Sequence, residues 1–164
     1  MISSHPISVV MPVYNDAPFL NEAIDSILNQ TYTDFKFIIV NDGSTDNSGE
    51  IIKSYNDPRI KYIENTNNMG IAFSLNLGIG NAKSEFIARI DSNDSAFPSR
   101  LEKQYKFLKK NLNCGVVTSP IIKYDSNIYG KNIISGSYMP YEEIPVKLLF
   151  SNCISHTAVM IRKA

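Results

Sequence analysis

The sequence predicts an α/β fold in which a mostly parallel sheet is covered by helices on both faces. Short apolar runs typical of buried parallel strands alternate with segments whose apolar residues recur every three or four positions, as in amphipathic helices. This alternation continues from the start of the chain to about residue 118. Three of the apolar runs also end in polar turns, and open α/β sheets bind their ligands at the carboxyl ends of strands.

The first strand and helix follow from local signals. Residues 7–11 form a continuous apolar run, which we expect to break at Pro12. Asp16 can cap a helix that has Pro18 in its first turn. The apolar face of this helix comprises Phe19, Leu20, Ala23, Ile24, Ile27 and Leu28. A second strand and a second helix follow at residues 35–40 and 46–55.

The next segments repeat the order of strand and helix. Strands are predicted at residues 60–63 and 86–90. Asn68-Met69-Gly70 leads into a helix with Ile71, Ala72, Leu75 and Ile79 on one face, and Pro98 opens another with Leu101, Tyr105, Leu108 and Leu112 inward. Beyond them the sequence predicts a strand at 116–118, a loop or hairpin at 119–141, a short helix at 142–150 and a last strand at 157–161.

Composition excludes several classes of function. Lys plus Arg and Asp plus Glu number 16 each, so no basic surface for nucleic acid or for a membrane is indicated. Two cysteines make neither a disulfide framework nor a metal quartet. No export signal or membrane span is apparent. We expect a single cytoplasmic domain over residues 1–164, reaching the inner membrane face only through other parts or partners.

Polar clusters follow three of the predicted strands. They are Pro12-Val13-Tyr14-Asn15, Asn41-Asp42-Gly43-Ser44 and Asp91-Ser92-Asn93-Asp94. An isolated acidic turn is usually a solvated cap, but three at equivalent strand ends of one parallel sheet would gather along one edge. Together they supply an aromatic ring, a carboxylate that can bind a base and an acidic loop for a cation, a set that suits a nucleoside diphosphate.

Other nucleotide and hydrolase motifs are missing from the sequence. It contains no phosphate loop of the Gly-x-x-x-x-Gly-Lys-Ser/Thr type. Gly78-Ile79-Gly80 falls at a predicted helix end rather than after a strand, so it indicates a helix C-terminus and not a dinucleotide site. Neither His5 nor His156 has a Ser or Cys partner in a nucleophile turn.

The chain resembles the family 2 glycosyltransferases, which have the Rossmann-like three-layer αβα sandwich called GT-A. The residues that carry the resemblance are Val10 to Asn15, Ser26 to Tyr32, Ile39 to Asp46, Asn68 to Ala72, Leu75 to Ile79, the Asp91-to-Asp94 loop with Pro98 and Arg100-Leu101, and His156 to Lys163. They cover most of the chain in order.

The resemblance implies a role for each matching residue. Asp42 matches the carboxylate that binds uracil, and the Tyr14 ring would lie near the base. The other residues implied to bind the nucleotide are Pro12, Val13, Asn15, Asn68, Gly70, Asp91 and Ser92. Mn²⁺ or Mg²⁺ would be held at Asn93 and Asp94, although Asn93 stands where the family usually has a metal-binding Asp. An amide oxygen brings no negative charge, so metal affinity should fall. Asn41 replaces a common Asp, at a position we expect to be peripheral.

The resemblance implies an inverting transferase that moves a sugar from a nucleotide donor, UDP-sugar by preference, to a saccharide or other hydroxyl acceptor, in cell-surface polysaccharide synthesis. The family's base lies in an acidic segment after the stretch that His156 matches, and we expect it beyond Ala164. Glu142 and Glu143 read as surface charges. The chain is therefore interpreted as the nucleotide-sugar-binding portion of a longer enzyme, truncated on its acceptor side and weak in transfer. A non-catalytic nucleotide-sugar-binding module is the alternative; a nucleotidyltransferase is disfavoured by the first cluster.

Overall fold

The computed structural model describes residues 5–124, 132–135, 141–149 and 153–163. Its strands are β1 (Ile7–Val13), β2 (Phe35–Asn41), β3 (Ile60–Glu64), β4 (Phe86–Arg89), β5 (Val116–Thr118), β6 (Ile121–Tyr124), β7 (Asn132–Ser135) and β8 (Val159–Arg162). Its α-helices are α1 (Ala17–Leu28), α2 (Ser48–Ser54), α3 (Ile71–Asn81), α4 (Arg100–Lys110) and α5 (Ile144–Leu148). Two short 3₁₀ helices span Tyr141–Glu143 and His156–Ala158.

Six strands form one sheet in the order β3-β2-β1-β4-β8-β5. The pairs β3–β2, β2–β1 and β1–β4 are parallel, and β8 runs antiparallel to both β4 and β5. The predicted α/β class with a mostly parallel sheet is confirmed. The sequence predicted a strand at 157–161 but not its insertion, in the reverse direction, between β4 and β5.

Helices cover both faces of the sheet and bury two separate apolar clusters. On one face, α1, α2 and α4 pack through residues such as Ile24, Ile52 and Leu108 against the inward side chains of β1 and β2. On the other face, α3 covers Val10 and Ile38 with the neighbouring apolar residues. The arrangement is the predicted three-layer αβα sandwich, and it leaves the carboxyl ends of the parallel strands at one edge.

Strand β1 continues through Pro12 instead of breaking there. Pro12 and Val13 stay in register with Val40 and Asn41 of β2. The proline nitrogen faces the β4 side, where the pairing with β1 extends only to Arg89. Because no ladder hydrogen bond is due at that point, the missing N–H of Pro12 costs nothing and the strand tolerates it.

Helix α3 packs through small residues as well as through the second half of its predicted apolar face, because Leu75 and Ile79 contact the cluster around Val10 whereas Ile71 and Ala72 are exposed. Ile71 is 55% exposed, whereas Ser74 and Gly78 are buried. A Cβ at Gly78 would lie 2.5 Å from Cγ1 of Val10, so glycine lets the helix approach β1 closely. Gly78 therefore packs against the sheet from the last turn of α3, which ends at Asn81 as the sequence predicted.

The last segments form smaller elements. The predicted hairpin is present as the antiparallel pair β6–β7, and residues 125–131 and 136–140 of the 119–141 segment lie outside the described residues. The predicted 142–150 helix is realised as a 3₁₀ turn followed by α5, with Glu142 and Glu143 exposed; residue 150 lies outside the description. None of the helices in the described ranges has both the length and the apolar content needed to cross a bilayer.

Candidate functional site

Strand β1 lies between β2 and β4, so the chain leaving β1 sits between the turns that follow both neighbours. This segment, Tyr14 to Asp16, makes hydrogen bonds in both directions. The three polar clusters are thereby joined into one connected surface at the carboxyl edge of the sheet.

Asn15 fixes the turn that follows β2. Its Oδ1 accepts hydrogen bonds from the backbone N–H of Thr45 at 2.8 Å and of Asp46 at 3.4 Å, and its own N–H donates to Oγ of Ser44 at 3.1 Å. Asn15 has a positive φ of 55°, a conformation that asparagine tolerates better than most residues. The backbone conformation thus aims the side chain at the neighbouring turn.

Asp16 joins the first cluster to the turn that follows β4. Its Oδ2 accepts a hydrogen bond from the Ser92 hydroxyl. Asp16 occupies the N-cap position of α1, but its side chain makes no capping hydrogen bond. The predicted capping role is wrong, because the carboxylate is turned toward Ser92; Asp46 Oδ2 instead receives the N–H of Ala17, at 3.0 Å.

Asp42 organises the loop between β3 and α3. It is 3% exposed, and its Oδ1 accepts from the Asn65 amide at 2.7 Å and from the Met69 N–H at 3.0 Å. Its Oδ2 accepts from the Gly70 N–H at 2.8 Å. Gly70 has a positive φ of 88°, which glycine adopts without strain. A single carboxylate therefore holds three points of this loop.

The hydrogen bonds of Asp42 outweigh its burial. Burial acts to raise the pKa of the carboxyl, but donors from Met69, Asn65, Ser74 and Gly70 stabilise the charged form and lower the pKa below its ordinary value. Asp42 is accordingly an anion at neutral pH, and its charge is compensated by loop donors.

Asn41 is structural and not peripheral. It is buried, its Oδ1 accepts from the Ser44 N–H at 3.1 Å, and its amide donates to the Tyr62 hydroxyl at 3.0 Å. Beside it, Gly43 has a φ of 67°, and a Cβ there would come within 2.5 Å of the Asn67 backbone. The turn after β2 is thus shaped by its amide and by close backbone contact with the next loop.

Asp91 pairs with Arg89 at the start of the third cluster. Arg89 Nε donates to Oδ1 at 3.0 Å and Nη2 to Oδ2 at 3.2 Å. Burial raises the pKa of Asp91; Arg89 opposes this, the nearby Asp94 adds to it, and His156 opposes it. The cluster therefore brings two carboxylates, a guanidinium and an imidazole within electrostatic range of one another.

The buried side chain of Arg100 connects β4 with β8 next to this cluster. It is 9% exposed, and its Nη2 donates to the carbonyl of Arg89 at 2.6 Å and to that of Val159 at 3.2 Å. Burial lowers the pKa of Arg100 to about 10, with Asp94 acting in the opposite direction. Arg100 thus ties the end of β4 to the start of β8 and keeps His156 next to the acidic turn.

The donor set of the third cluster fits a hard divalent cation. Nowhere in the described part of the chain do three or more His, Cys, Asp or Glu side chains gather as a metal group. A magnesium site, however, takes only one or two carboxylates and is completed by substrate phosphates and water. Asp94, half-buried, and Asn93, exposed, supply oxygen ligands, while both Asp91 oxygens already accept from Arg89.

The predicted site residues fall into two groups by exposure. The side chains of Pro12, Val13, Asp42 and Ser92 are buried, so the first two would meet a ligand through backbone atoms. The side chains of Tyr14 (44% exposed), Asn15, Asn68, Asn93, Asp94 and, in part, Asp91 reach solvent, as does part of the Gly70 backbone. Their roles in binding stay predictions.

The sequence analysis assigned no role in the site to four residues that shape this edge. They are Asn65, Ser74, Arg89 and His156. Asn65 and Ser74 lie in the loop and helix after β3 and gave no motif signal. The sequence analysis treated Arg89 only as a strand residue, although its position two residues before Asp91 allows the two side chains to form an ion pair.

Comparison with known proteins gives one consistent family. The family model described as glycosyl transferase family 2 matches residues 8–164. An O-antigen biosynthesis glycosyltransferase, WbnJ, from Escherichia coli is 37% identical over 96% of this chain and 61% of its own length. An uncharacterized glycosyltransferase from Haemophilus influenzae is 33% identical over 95% of this chain and 51% of its own.

Solved structures agree on the fold. S. aureus TarS 1-349 in complex with UDP has a TM-score of 0.62 and 27% identity over 67% of this chain and 33% of the TarS 1-349 chain. A mannosyltransferase from Pyrobaculum calidifontis, at 24% identity and a TM-score of 0.64 over 70% of this chain and 35% of its own, has the same fold. The chain spans about half the length of the curated relatives it matches.

Proposed function

The chain belongs to glycosyltransferase family 2, and we propose that it is the nucleotide-sugar-binding portion of an inverting transferase that uses a UDP-sugar. In the proposed reaction the acceptor hydroxyl attacks the anomeric carbon as the bond to the diphosphate breaks, and a general base takes the hydroxyl proton. The acceptor is a saccharide or another hydroxyl compound, and the product belongs to cell-surface polysaccharide.

The observation that carries the proposal is the hydrogen-bonded connection of the three clusters through Asn15 and Asp16. It makes a continuous polar edge at the carboxyl ends of parallel strands, where ligands of α/β sheets bind. The exposed Tyr14 ring stands at this edge and can stack on a base.

The proposed donor rests on TarS. Structures of TarS 1-349 in complex with UDP and with UDP-GlcNAc have 27% identity to this chain over its matched part. We extend to this chain the nucleotide, UDP, and not the sugar. The proposal of polysaccharide synthesis rests on the O-antigen relative.

A divalent cation would be held by Asp94 and Asn93, with Asp91 beside them. When bound, it would supply positive charge against the diphosphate leaving group. The chain's own contribution is to orient the turn: Ser92 is fixed on Asp16, and Arg89 holds Asp91. His156 lies on the same side, close enough to affect Asp91.

A specific residue favours a second candidate, a module that binds the nucleotide sugar without catalysis. Asn93 lacks the charge that a metal-binding Asp would bring. If this candidate holds, UDP binds through its base and ribose with an affinity that is indifferent to metal.

Calorimetric titration with UDP, in Mn²⁺ and then in EDTA, tests the proposal. We expect binding in Mn²⁺ that weakens in EDTA, and we expect Asn93→Asp to strengthen the metal-dependent part by about tenfold, because it adds a charged ligand. Glu50→Asp, at an exposed position of α2, is the control variant and should bind UDP as the wild type does. If the wild type and Asn93→Asp each bind UDP equally well in Mn²⁺ and in EDTA, the metal role of the Asn93–Asp94 turn is contradicted. If UDP does not bind at all, the proposed UDP-sugar donor is contradicted.

A further inference from the structure

A cleft lies at the amino-terminal end of the sheet, opposite the candidate site. Helix α3 ends at Asn81, which lines the cleft together with Lys83 and Ser84 of the segment that follows. Ser8 and Lys36 are paired across β1 and β2, and Lys61 of β3 pairs with Ile38, which places all three on the same face of the sheet. We call this concavity the amino-end cleft; its volume is about 230 Å³.

The amino-end cleft concentrates positive charge in a chain of zero formal net charge. Lys36, Lys61 and Lys83 line it, and none of the described residues that line it is an Asp or a Glu. His5 stands at the rim, with its Nδ1 2.6 Å from Oδ1 of Asp34. The lysine charges in the cleft therefore face no lining carboxylate.

Hydrogen-bond donors remain available in the cleft. Lys36 Nζ donates to the Pro58 carbonyl at 2.6 Å, and Lys61 Nζ to Oδ1 of Asn81 at 2.6 Å. Each ammonium group has three N–H donors, so these bonds position the two lysines without exhausting them.

Two buried hydroxyls form the floor. The Oγ atoms of Ser8 and Ser84 are 2.8 Å apart, and both residues are at most 5% exposed. Each hydroxyl has one proton to donate, and one of the two is used in the hydrogen bond between the serines. The other hydroxyl proton remains available to donate to a ligand. A buried hydroxyl that needs an acceptor is the second observation that points to an anion, independent of the lysine charges.

A simpler account would have the lysines keep an exposed sheet end soluble and offset the dipole of the α3 C-terminus. That account needs neither a concavity nor a pair of buried serines. The volume also limits the ligand, because it is below the 300–1,000 Å³ typical of sites for drug-sized molecules.

We propose that the amino-end cleft binds a phosphate group, through Lys36, Lys61 and Lys83 with the Ser8–Ser84 pair as its floor. Strand β1 has seven residues at about 3.3 Å each, so the cleft lies roughly 20 Å from the carboxyl-edge site. The ligand is accordingly separate from the proposed donor nucleotide. Its phosphate is either free in solution or the headgroup of an anionic lipid.

Phosphate titration followed by amide NMR tests the cleft directly. Inorganic phosphate is added at constant ionic strength, and we expect saturable shifts at Ser8, Lys36 and Ser84 that leave Asp42 unaffected. Lys83 makes no side-chain hydrogen bond to the described residues, so Lys83→Gln removes only its charge and should weaken binding roughly tenfold. The triple variant K36Q/K61Q/K83Q should abolish it, whereas the control K103Q/K110Q/K147Q, at exposed positions of α4 and α5, should not.

Flotation with phosphatidylglycerol vesicles separates the two sources of phosphate. Saturable shifts with inorganic phosphate, lost in the triple variant, support a free ligand. Vesicle binding lost in the triple variant but kept in the control supports a lipid headgroup. Absence of both, or equal losses in the two triple variants, overturns the proposal. Failure of UDP to bind bears on the proposed function and leaves this result intact.

Discussion

Replacing Asp42 with Asn should destabilise the protein by about 3 kcal/mol. The amide keeps one oxygen, which can still accept from Asn65 and Met69, but those two bonds change from charged to neutral and weaken by about 1 kcal/mol each. Its NH₂ group would face the Gly70 N–H, so the third bond is lost. Gly70 also donates to Oδ1 of Asn68, which limits this last loss to about 1 kcal/mol.

Urea unfolding of the wild type and of Asp42→Asn measures the loss. Glu50→Gln removes the same charge from an exposed position of α2 and should change the free energy of unfolding by no more than about 0.5 kcal/mol. Amide hydrogen exchange should also become faster at Met69 and Gly70 in Asp42→Asn. If the two variants unfold at the same urea concentration, the hydrogen bonds of Asp42 do not hold the loop.

The pH dependence provides an internal check. The pKa of Asp42 is lower in the folded protein than the ordinary value of about 3.9, so its stabilisation is complete above that value. It is lost as the pH falls through the lowered pKa, where the carboxylate gains a proton. The gap in stability between wild type and Asp42→Asn should be constant from pH 7 to about 5 and shrink below about 4. A gap that persists unchanged in acid would refute the electrostatic origin.

Two further substitutions test the packing and the turn. Gly78→Ala should destabilise the protein by about 1–3 kcal/mol, because its Cβ would lie 2.5 Å from Val10. Gly80→Ala is the control, since its Cβ would have nothing within 4 Å, and it should be neutral or stabilising by up to about 1 kcal/mol. Thermal unfolding of the two variants measures the difference, and equal shifts in Tm would contradict the close approach of α3 to β1. Asn15→Ala should lower the free energy of unfolding by about 1–2 kcal/mol, because the Thr45 N–H loses its acceptor and the positive φ becomes strained. It should also weaken UDP binding, and an unchanged UDP affinity would show that this turn does not contribute to nucleotide binding.

The sequence was sufficient for the order of strands and helices because their signals are local. Apolar runs and helical periodicity are patterns among residues close in the sequence, and a parallel strand that is buried on both faces is recognisable from its own apolar run alone. The behaviour of Pro12 was not local. Whether a proline breaks a strand depends on what lies opposite its nitrogen, and that is set by the length of β4. The exposure of Ile71 likewise depends on which side of α3 approaches the sheet.

At the carboxyl edge, the sequence identified the clusters and missed their connections. Spacing places polar residues after strands, and topology then brings the strand ends together. The partners of Asp16 and Asp42 are 76 and 23–28 residues away, so no short motif contains them. Asp16 was misread for this reason, because a helix cap was the best local use of its carboxylate. Asn41, which was expected to be peripheral, is likewise bound to a partner 21 residues away, the hydroxyl of Tyr62.

The connections also change how the edge can bind a ligand. A carboxylate offers about four acceptor positions, and Asp42 already uses three on Asn65, Met69 and Gly70, with Ser74 adding to its stabilisation. At 3% exposure it has little surface left for a base. A base that hydrogen-bonds to Asp42 must therefore displace a loop donor. If it does not, Asp42 acts through the loop it shapes, and the groups that meet the ligand are those the turns present to solvent, with the Tyr14 ring foremost.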